Sequence, residues 1–195
     1  DRTGGNPYLI QRWLSHLTRT QAVVSHDGFV ALDESALESI PDGFEPILDA
    51  ELSTVNDQMR PLLDAASVLG EVFDPGIAAR LTGLDELEAL RLLASLQRTT
   101  GLLEEAGETG DLYCFNHSLL RDHIYRQIPR RLRQEYHAHA AELLLQSEAS
   151  TAVVGHHLRA AGRLEDALPF LLEAARDDLA RGAYRSAAER LEGLP

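Results

Sequence analysis

The chain has 195 residues, of which 44% are apolar and 25% charged, as expected of a globular protein with one large or two small domains. It contains no apolar run near the roughly 18 residues of a transmembrane helix, no signal-like opening segment, and one cysteine, Cys114, so it has no internal disulfide framework. A net charge of −13 would repel nucleic acid and anionic membranes over most of the surface, and we expect a cytoplasmic protein without membrane contact.

The first third of the chain predicts one helix, a mixed stretch and two further helices. Asn6-Pro7 has the pattern of a helix cap followed by proline in the first turn, and this helix should run to about Thr18. Residues 19–40 are mixed in character and are expected to be mostly loop. Apolar residues at helical spacing then predict helices over about 44–52 and 57–69.

The middle of the chain predicts two more helices and a pair of strands. The helices fit 75–82 and 86–98, the second beginning at a capping box made by Asp85 and Glu88. Two short strands, Leu102–Glu105 and Leu112–Phe115, should follow across a glycine-rich turn. Three helices followed by a hairpin is the element order of a winged-helix domain, which we place at 54–116.

From residue 117 onward the sequence predicts only helices, over about 117–127, 129–147, 150–161, 164–180 and 183–192. Gly162–Ala167 and Gly182–Ala187 are similar helix junctions, and they resemble a degenerate tetratricopeptide-type (TPR) repeat. The two glycines lie 20 residues apart, which is shorter than the repeat of about 34. We therefore expect at most one and a half units, and we expect both ends of the chain to be truncated.

Two short motifs resemble elements of signal-transduction ATPases with numerous domains, the STAND ATPases. Gly4-Gly5-Asn6-Pro7-Tyr8-Leu9 resembles their GxP element, and Phe115-Asn116-His117 resembles the histidine motif of their winged-helix domain. Further stretches are similar, in order and spacing, to the ATPase-derived region of large bacterial regulators with a LuxR-type or cyclase output domain. These stretches are Leu63–Gly70 with Phe73-Asp74, Gly101–Glu104, Tyr113–His117, Arg121–Tyr125, Arg130–Arg133 with His137, and Ala160–Gly162.

The resemblance implies a nucleotide site shared with a core outside this chain. In the family, the GxP proline packs near the adenine and the winged-helix histidine contacts the terminal phosphate of bound ADP. Carried over, Gly5, Asn6 and Pro7 would lie on the adenine side of the site and His117 on the phosphate side.

The chain departs from the family pattern beside the histidine. Ser118 follows His117 where the better-known motif has an acid, and Asp122 lies too far along the helix to replace that acid. The chain also contains no lysine, so it cannot hold a P-loop of the form GxxxxGK[ST]. ATP or ADP is therefore expected in the full-length parent protein, with no cofactor in this chain alone.

The same residues have structural interpretations as well. Asn6-Pro7 would begin a helix in any protein, although a helix N-terminus also suits a phosphate or a purine edge. His117 lies between a strand and a helix, where it either donates to an anion or is satisfied within the fold. If it binds phosphate, protonation should strengthen binding toward lower pH.

The only basic run in this acidic chain comprises Arg121, Arg126, Arg130, Arg131 and Arg133. The run either binds phosphate, with Arg121 as a possible contact, or forms a solvated or acid-paired helix surface that bridges two domains. The second interpretation is the favoured one.

The sequence does not favour metal binding or catalysis. His137 and His139 are two residues apart and His156 and His157 are adjacent, so on a helix they point about 200° and 100° apart and cannot chelate one ion. HExxH, CxxC and GxSxG motifs and a lysine base are all missing from the sequence. We predict no metal site, no catalytic residues and no intrinsic enzyme activity.

DNA reading by the winged helix is also disfavoured. The third helix, which would approach the bases, begins Asp85-Glu86-Leu87-Glu88. Three acids would meet the phosphates with the wrong sign of charge. Contact with DNA is expected only through a domain outside this chain.

The leading hypothesis is a mainly α regulatory fragment of a nucleotide-switched signal-transduction ATPase. The parent protein would be a transcriptional regulator that couples its ADP or ATP state to a helical sensor array. Residues 1–53 would end the ATPase lid, 54–116 would form the winged-helix domain, and 117–195 a helical linker with the start of TPR-like repeats. Its partners would be the missing upstream core and a protein or small-molecule inducer bound by the repeats. The alternatives are a helical-repeat interaction module that ignores nucleotide, and a winged-helix DNA-binding regulator.

Overall fold

The computed structural model describes Ile10, Leu14, Thr18 and residues 23–26, 29–32, 45–147 and 149–192. These residues belong to two units, Asp1–Asn56 and Asp57–Pro195. Ile10, Leu14 and Thr18 are helical, and they lie within the helix predicted to end near Thr18.

The first unit contains an antiparallel hairpin followed by a helix. Strand β1 (Val23–His26) pairs with β2 (Phe29–Leu32), and Val23 stands opposite Leu32. Helix α1 (Glu45–Leu52) matches the helix predicted at 44–52.

The two strands of the hairpin lie within residues 19–40, which the sequence predicted to be mostly loop, and they were not predicted. Both strands are rich in apolar residues, and Asp27-Gly28 stands between them in the sequence. An Asp-Gly pair between two such runs is a strong hairpin signal. The two strands were missed because the mixed composition of the stretch was given more weight than this local pattern.

The second unit begins with three helices and a three-stranded sheet. In chain order the elements are α2 (Arg60–Leu69), β3 (Val72–Phe73), α3 (Pro75–Thr82), α4 (Glu86–Thr100), β4 (Leu103–Ala106) and β5 (Leu112–Phe115). Strand β5 lies in the middle and pairs antiparallel with both β3 and β4. The two-residue strand β3 was not predicted, because two residues are too few to show an alternating pattern.

Aspartates and a glycine define the ends of these helices. Asp74 and Asp85 each accept backbone N–H bonds in the first turns of α3 and α4. Gly101 ends α4 with a φ of 61°, a left-handed conformation that a side chain would strain. Helix α4 therefore begins where the sequence predicts and runs two residues further, to Thr100.

A leucine core holds this sheet-bearing part together. The fully buried leucines of α2 and α4 are Leu62, Leu63, Leu93 and Leu96. The sheet adds three buried aromatic rings, from Phe73, Tyr113 and Phe115, with ring centroids about 6 Å apart. The core of this part is thus apolar and well covered.

Helices make up the rest of the described chain. They are α5 (Ser118–Gln127), α6 (Arg130–Gln146), α7 (Thr151–Ala160), α8 (Leu164–Ala180) and α9 (Tyr184–Leu191), all within one residue of the predicted bounds. From α6 onward each helix packs against the next, and α5 and α6 also pack against α2. The helical and sheet-bearing parts therefore belong to one packed unit.

The two predicted helix junctions share one turn geometry. Gly162 and Gly182 are both left-handed, with φ of 83° and 76°. The following residues close the turn in the same way, since Arg163 N–H donates to the Leu158 carbonyl at 2.9 Å and Ala183 N–H donates to the Asp178 carbonyl at 2.8 Å. The resemblance between the junctions therefore extends from the sequence to the backbone.

Small residues bring α7 and α8 close together. A Cβ on Gly155 would lie 2.9 Å from Leu171 Cδ2 and 3.1 Å from Phe170 Cβ, so the two helices touch at this glycine. Leu171 belongs to a buried cluster that reaches from α7 and α8 through α6 to Ala65 and Leu81 of the sheet-bearing part.

The fold is mainly α with a small antiparallel sheet, which confirms the predicted fold class at this level. The assignment of the sheet-bearing part as a winged helix, and of the last helices as TPR-like, stays a prediction.

Candidate functional site

His117 occupies the junction between the central strand and the next helix. It directly precedes α5, and its ring Nδ1 accepts the backbone N–H of Leu119 at 3.1 Å. Its carbonyl oxygen accepts the N–H groups of Leu120 and Arg121 at 3.1 and 3.3 Å. The imidazole thus acts as the N-cap of α5, and the side chain is half-buried.

The cap contact determines which ring nitrogen of His117 carries the proton. A backbone N–H can only donate, so Nδ1 must be unprotonated while it accepts from Leu119. In the neutral ring the proton therefore sits on Nε2. Protonation of Nδ1 would place its N–H opposite the Leu119 N–H, and because two donors cannot form a hydrogen bond, the cap would break.

Asn116 anchors the chain just before His117. Its side-chain amide donates to the Gly101 carbonyl, and its backbone N–H donates to the Leu102 carbonyl at 3.1 Å. Both bonds join the end of β5 to the residues between α4 and β4. The backbone that carries His117 is therefore held from two sides.

Arg121, the second predicted phosphate contact, is engaged within the fold. Its Nε donates to the Ser67 carbonyl of α2 at 2.7 Å, and its Nη1 pairs with Asp122 at 2.9 Å. Its guanidinium also lies 5.0 Å from the centre of the Tyr125 ring. A phosphate at Arg121 would have to share these donors, and the bond to Ser67 gives the residue a structural role.

Gly5, Asn6 and Pro7, the predicted adenine-side residues, lie outside the described residues. Of the predicted nucleotide-site residues, the structure therefore places His117 and Arg121 alone. It brings these two to the first turn of α5.

A buried histidine pair lies between α6 and α7. Nδ1 of His137 and Nδ1 of His157 are 2.9 Å apart, and each residue is 1% exposed. The other ring nitrogen of His137, Nε2, lies 2.9 Å from the Tyr125 hydroxyl. The three polar groups form a hydrogen-bonded chain that runs from α5 through α6 to α7.

Both members of the pair are held neutral by their surroundings. Burial, followed by the charges of His157, His156 and two arginines, lowers the pKa of His137 from 6.5 to about 3. Burial, followed by His156 and Arg121, lowers the pKa of His157 to about 4. Two neutral imidazoles can share one hydrogen bond, with one Nδ1 donating and the other accepting.

The pairing of His137 with His157 was missed at the sequence level. The prediction weighed only pairs along one helix, and these two residues meet across two helices. A signal was present, because each histidine lies at helical spacing from buried apolar residues, as Ala140 does from His137 and Val154 does from His157. Within the described residues, no group of three or more His, Cys, Asp or Glu side chains has metal-binding geometry.

The arginine run is divided between internal contacts and solvent. Arg121 is engaged as described above, and Arg133 donates to the Tyr125 carbonyl at 3.2 Å and stacks on its ring at 4.6 Å. Arg126, Arg130 and Arg131 are exposed. The exposed arginines fit a solvated surface, and Arg121 alone among these five pairs with an acid in the described residues.

No protein-family model matches this chain, and no curated protein matches it. Among the helices that the structure describes, none is long and apolar enough to cross a bilayer.

Proposed function

We propose that this chain is a regulatory part of a nucleotide-switched signalling ATPase of the STAND type, acting in the cytoplasm. The observation that carries the proposal is the position of His117, at the end of the central strand and the start of α5. A strand-to-helix junction fixed on both sides presents an imidazole in one orientation. The resemblance of Phe115-Asn116-His117 to the family motif assigns that imidazole to the terminal phosphate of ADP.

The element order of residues 57–116 supports the winged-helix part of the proposal. Three helices precede the hairpin, and a short strand after the first helix joins the hairpin to make the sheet. This order is the one expected of a winged helix. The repeated turn geometry at Gly162 and Gly182 supports the TPR-like part.

The proposed switch works through a contact that exists in one nucleotide state. ADP bound between an ATPase core outside this chain and His117 would hold the winged helix against that core. Exchange to ATP would release it, because the two nucleotides contact the closed form differently.

A role as a DNA reader has less support. Asp85, Glu86 and Glu88 at the start of α4 are all exposed, and Glu104 and Glu105 are exposed on β4. These carboxylates would face the phosphates of a duplex with the same sign of charge. We therefore propose that the winged helix is a regulatory spacer and that another domain binds DNA.

A helical interaction module remains the second candidate function, and one observation favours it. Large apolar side chains are exposed along the last two helices, where a partner or a further repeat would cover them. They are Leu164, Leu172, Leu179, Tyr184 and Leu191, between 37% and 71% exposed. In this candidate, nucleotide would be irrelevant to binding.

The nucleotide content of the natural full-length product of this reading frame separates the two candidates. The protein would be purified without added nucleotide and denatured, and any released nucleotide would be identified and counted. The switch predicts about one ADP per chain. Absence of nucleotide, with an intact fold by circular dichroism, would leave the interaction module as the better proposal.

A further inference from the structure

Five arginines surround a groove between α6 and the turn that joins α7 to α8. We call it the arginine groove and define it by Arg130, Arg131, Arg133, Arg159 and Arg163. It consists of two adjoining hollows of about 600 and 270 Å³ that share Arg130 and Gln134 in their walls. Small residues, among them Ala138 and Ala161, also line the groove.

The five guanidinium groups differ in how many hydrogen bonds and ion pairs they already make within the chain. Arg133 is fixed by Tyr125, and Arg159 donates to the Arg190 carbonyl at 3.2 Å. Arg163 pairs with Asp166 at 2.7 Å and with Glu142 at 3.3 Å. Arg130 and Arg131 are exposed and make no side-chain hydrogen bond or ion pair with any other described residue.

The groove therefore concentrates positive charge on an otherwise acidic chain. The net charge of the whole chain is −13, yet the walls of the groove hold five arginines and one carboxylate, Glu135. Glu142 and Asp166, which pair with Arg163, offset part of this positive charge, and arginines still outnumber carboxylates. Like charges in a concave surface repel each other and raise the local positive potential. An anion bound there would relieve this repulsion and would gain the donors of Arg130 and Arg131.

We propose that the arginine groove is a binding site for a small ligand that carries two or more linked phosphate groups. The guanidinium fork matches the oxygens of a phosphate and binds them in pairs. Arg133 is held in place before the ligand arrives, so less side-chain entropy is lost on binding.

Linked phosphates suit this groove better than the carboxylates of an acidic peptide. A di- or triphosphate places several negative charges within the length of one small molecule, which matches several guanidinium groups around one hollow. Carboxylates along an extended peptide lie about 3.3 Å or more apart per residue and alternate in direction. An acidic peptide would therefore bring fewer charges into the same space.

This site is separate from the nucleotide contact proposed for His117. Neither His117 nor Arg121 lines either hollow. The inference goes beyond the proposed function, and either one can fail while the other stands. Because this chain has no lysine and no P-loop, binding by the 195-residue chain tests the groove without an ATPase core.

The test is calorimetric titration of the 195-residue chain with inorganic tripolyphosphate at about 50 mM and about 200 mM salt. The groove variant is Arg130→Gln with Arg131→Gln, which removes two charges and no side-chain hydrogen bond or ion pair between described residues. The matched control is Arg91→Gln with Arg176→Gln, which removes the same charge from exposed positions outside the groove. Circular dichroism checks that both variants fold.

We expect saturable binding that weakens with salt, at least about tenfold weaker binding in the groove variant, and less than about twofold change in the control. Orthophosphate should bind about tenfold more weakly than tripolyphosphate, because a single phosphate group pairs with one guanidinium group and not with several. No binding by the unaltered chain, or equal weakening in both variants, would overturn the site. Tighter binding of a hexaglutamate peptide than of tripolyphosphate would overturn the assignment of the ligand.

Discussion

The sheet-bearing part, residues 57–116, and the helical part, residues 117–192, are stabilised in different ways. The first has a core of leucines and aromatic rings, with Leu62, Leu93 and Leu96 fully buried. The second also has a buried apolar cluster, and in addition buried polar contacts join its helices. Of the four buried polar or charged side chains in the described residues, three lie there: His137, His157 and Asp178.

The contrast between apolar packing and buried polar contacts affects how the helices are aligned as well as how stable each part is. Apolar packing is non-directional, whereas a hydrogen bond between two helices is satisfied in one alignment. Asp178 illustrates this, since it accepts from Arg190 at 2.5 Å and from Arg181 at 3.3 Å and so joins α8 to α9. We infer that leucines set the stability of the sheet-bearing part, and that polar contacts fix the register of the helices.

Loss of a core leucine should have the largest effect. Leu93→Ala removes a fully buried side chain and should lower the free energy of unfolding by about 2–5 kcal/mol, measured by urea titration. Leu87→Ala, in the same helix at a position 55% exposed, should cost less than about 0.5 kcal/mol. Similar costs for the two changes would contradict the assignment of the core.

The histidine pair should make the helical part sensitive to acid. The pKa values of His137 and His157 in the folded chain lie below 6.5, so the unfolded chain binds protons first as the pH falls. Stability should be fully present above about pH 6.5 and should fall progressively as the pH drops toward the folded pKa values of about 4 and about 3. Urea titrations at pH 7.5 and about 4.5 measure this loss.

Matched variants identify which residues cause the loss. His137→Leu with His157→Leu removes both titrating groups and should flatten the pH dependence over this range. His139→Gln alters an exposed histidine on the same helix and should leave the dependence unchanged. An unchanged dependence in the double variant would show that other groups cause it.

The close contact between α7 and α8 should have the smallest effect. Gly155→Ala would place a methyl group 2.9 Å from Leu171 Cδ2, and overpacking should outweigh the gain in helix propensity by about 1 kcal/mol. Thermal unfolding measures the change. In a Leu171→Ala background the space is open, so the same glycine change should cost nothing or should stabilise.

Most element bounds could be predicted because their signals are local. Asp85 and Gly101 mark the ends of α4, and the periodicity between them marks the helix. The strand β3 escaped prediction because its pairing with β5 joins residues about 40 positions apart, as Val72 and Cys114 show. The hairpin at 23–32 carried a local signal that was not used.

The site could be predicted only in part. The position of His117 before a helix follows from the sequence, and the structure adds that its ring caps the helix. The pairing of His137 with His157 and the arginine groove depend on how α6 packs against α7. That packing is a tertiary property, and periodicity along one helix does not specify it.

The most direct test of the proposed switch compares two substitutions of His117 in the natural full-length product. His117→Asn keeps a side-chain acceptor for the cap of α5 and removes the imidazole, whereas His117→Ala removes both. The bound nucleotide would be counted after denaturation in the unaltered protein and in each variant. The account predicts about one ADP in the unaltered protein and a loss of at least about tenfold in both variants. ADP retained in the His117→Asn protein would contradict the phosphate contact and leave His117 as a helix cap alone.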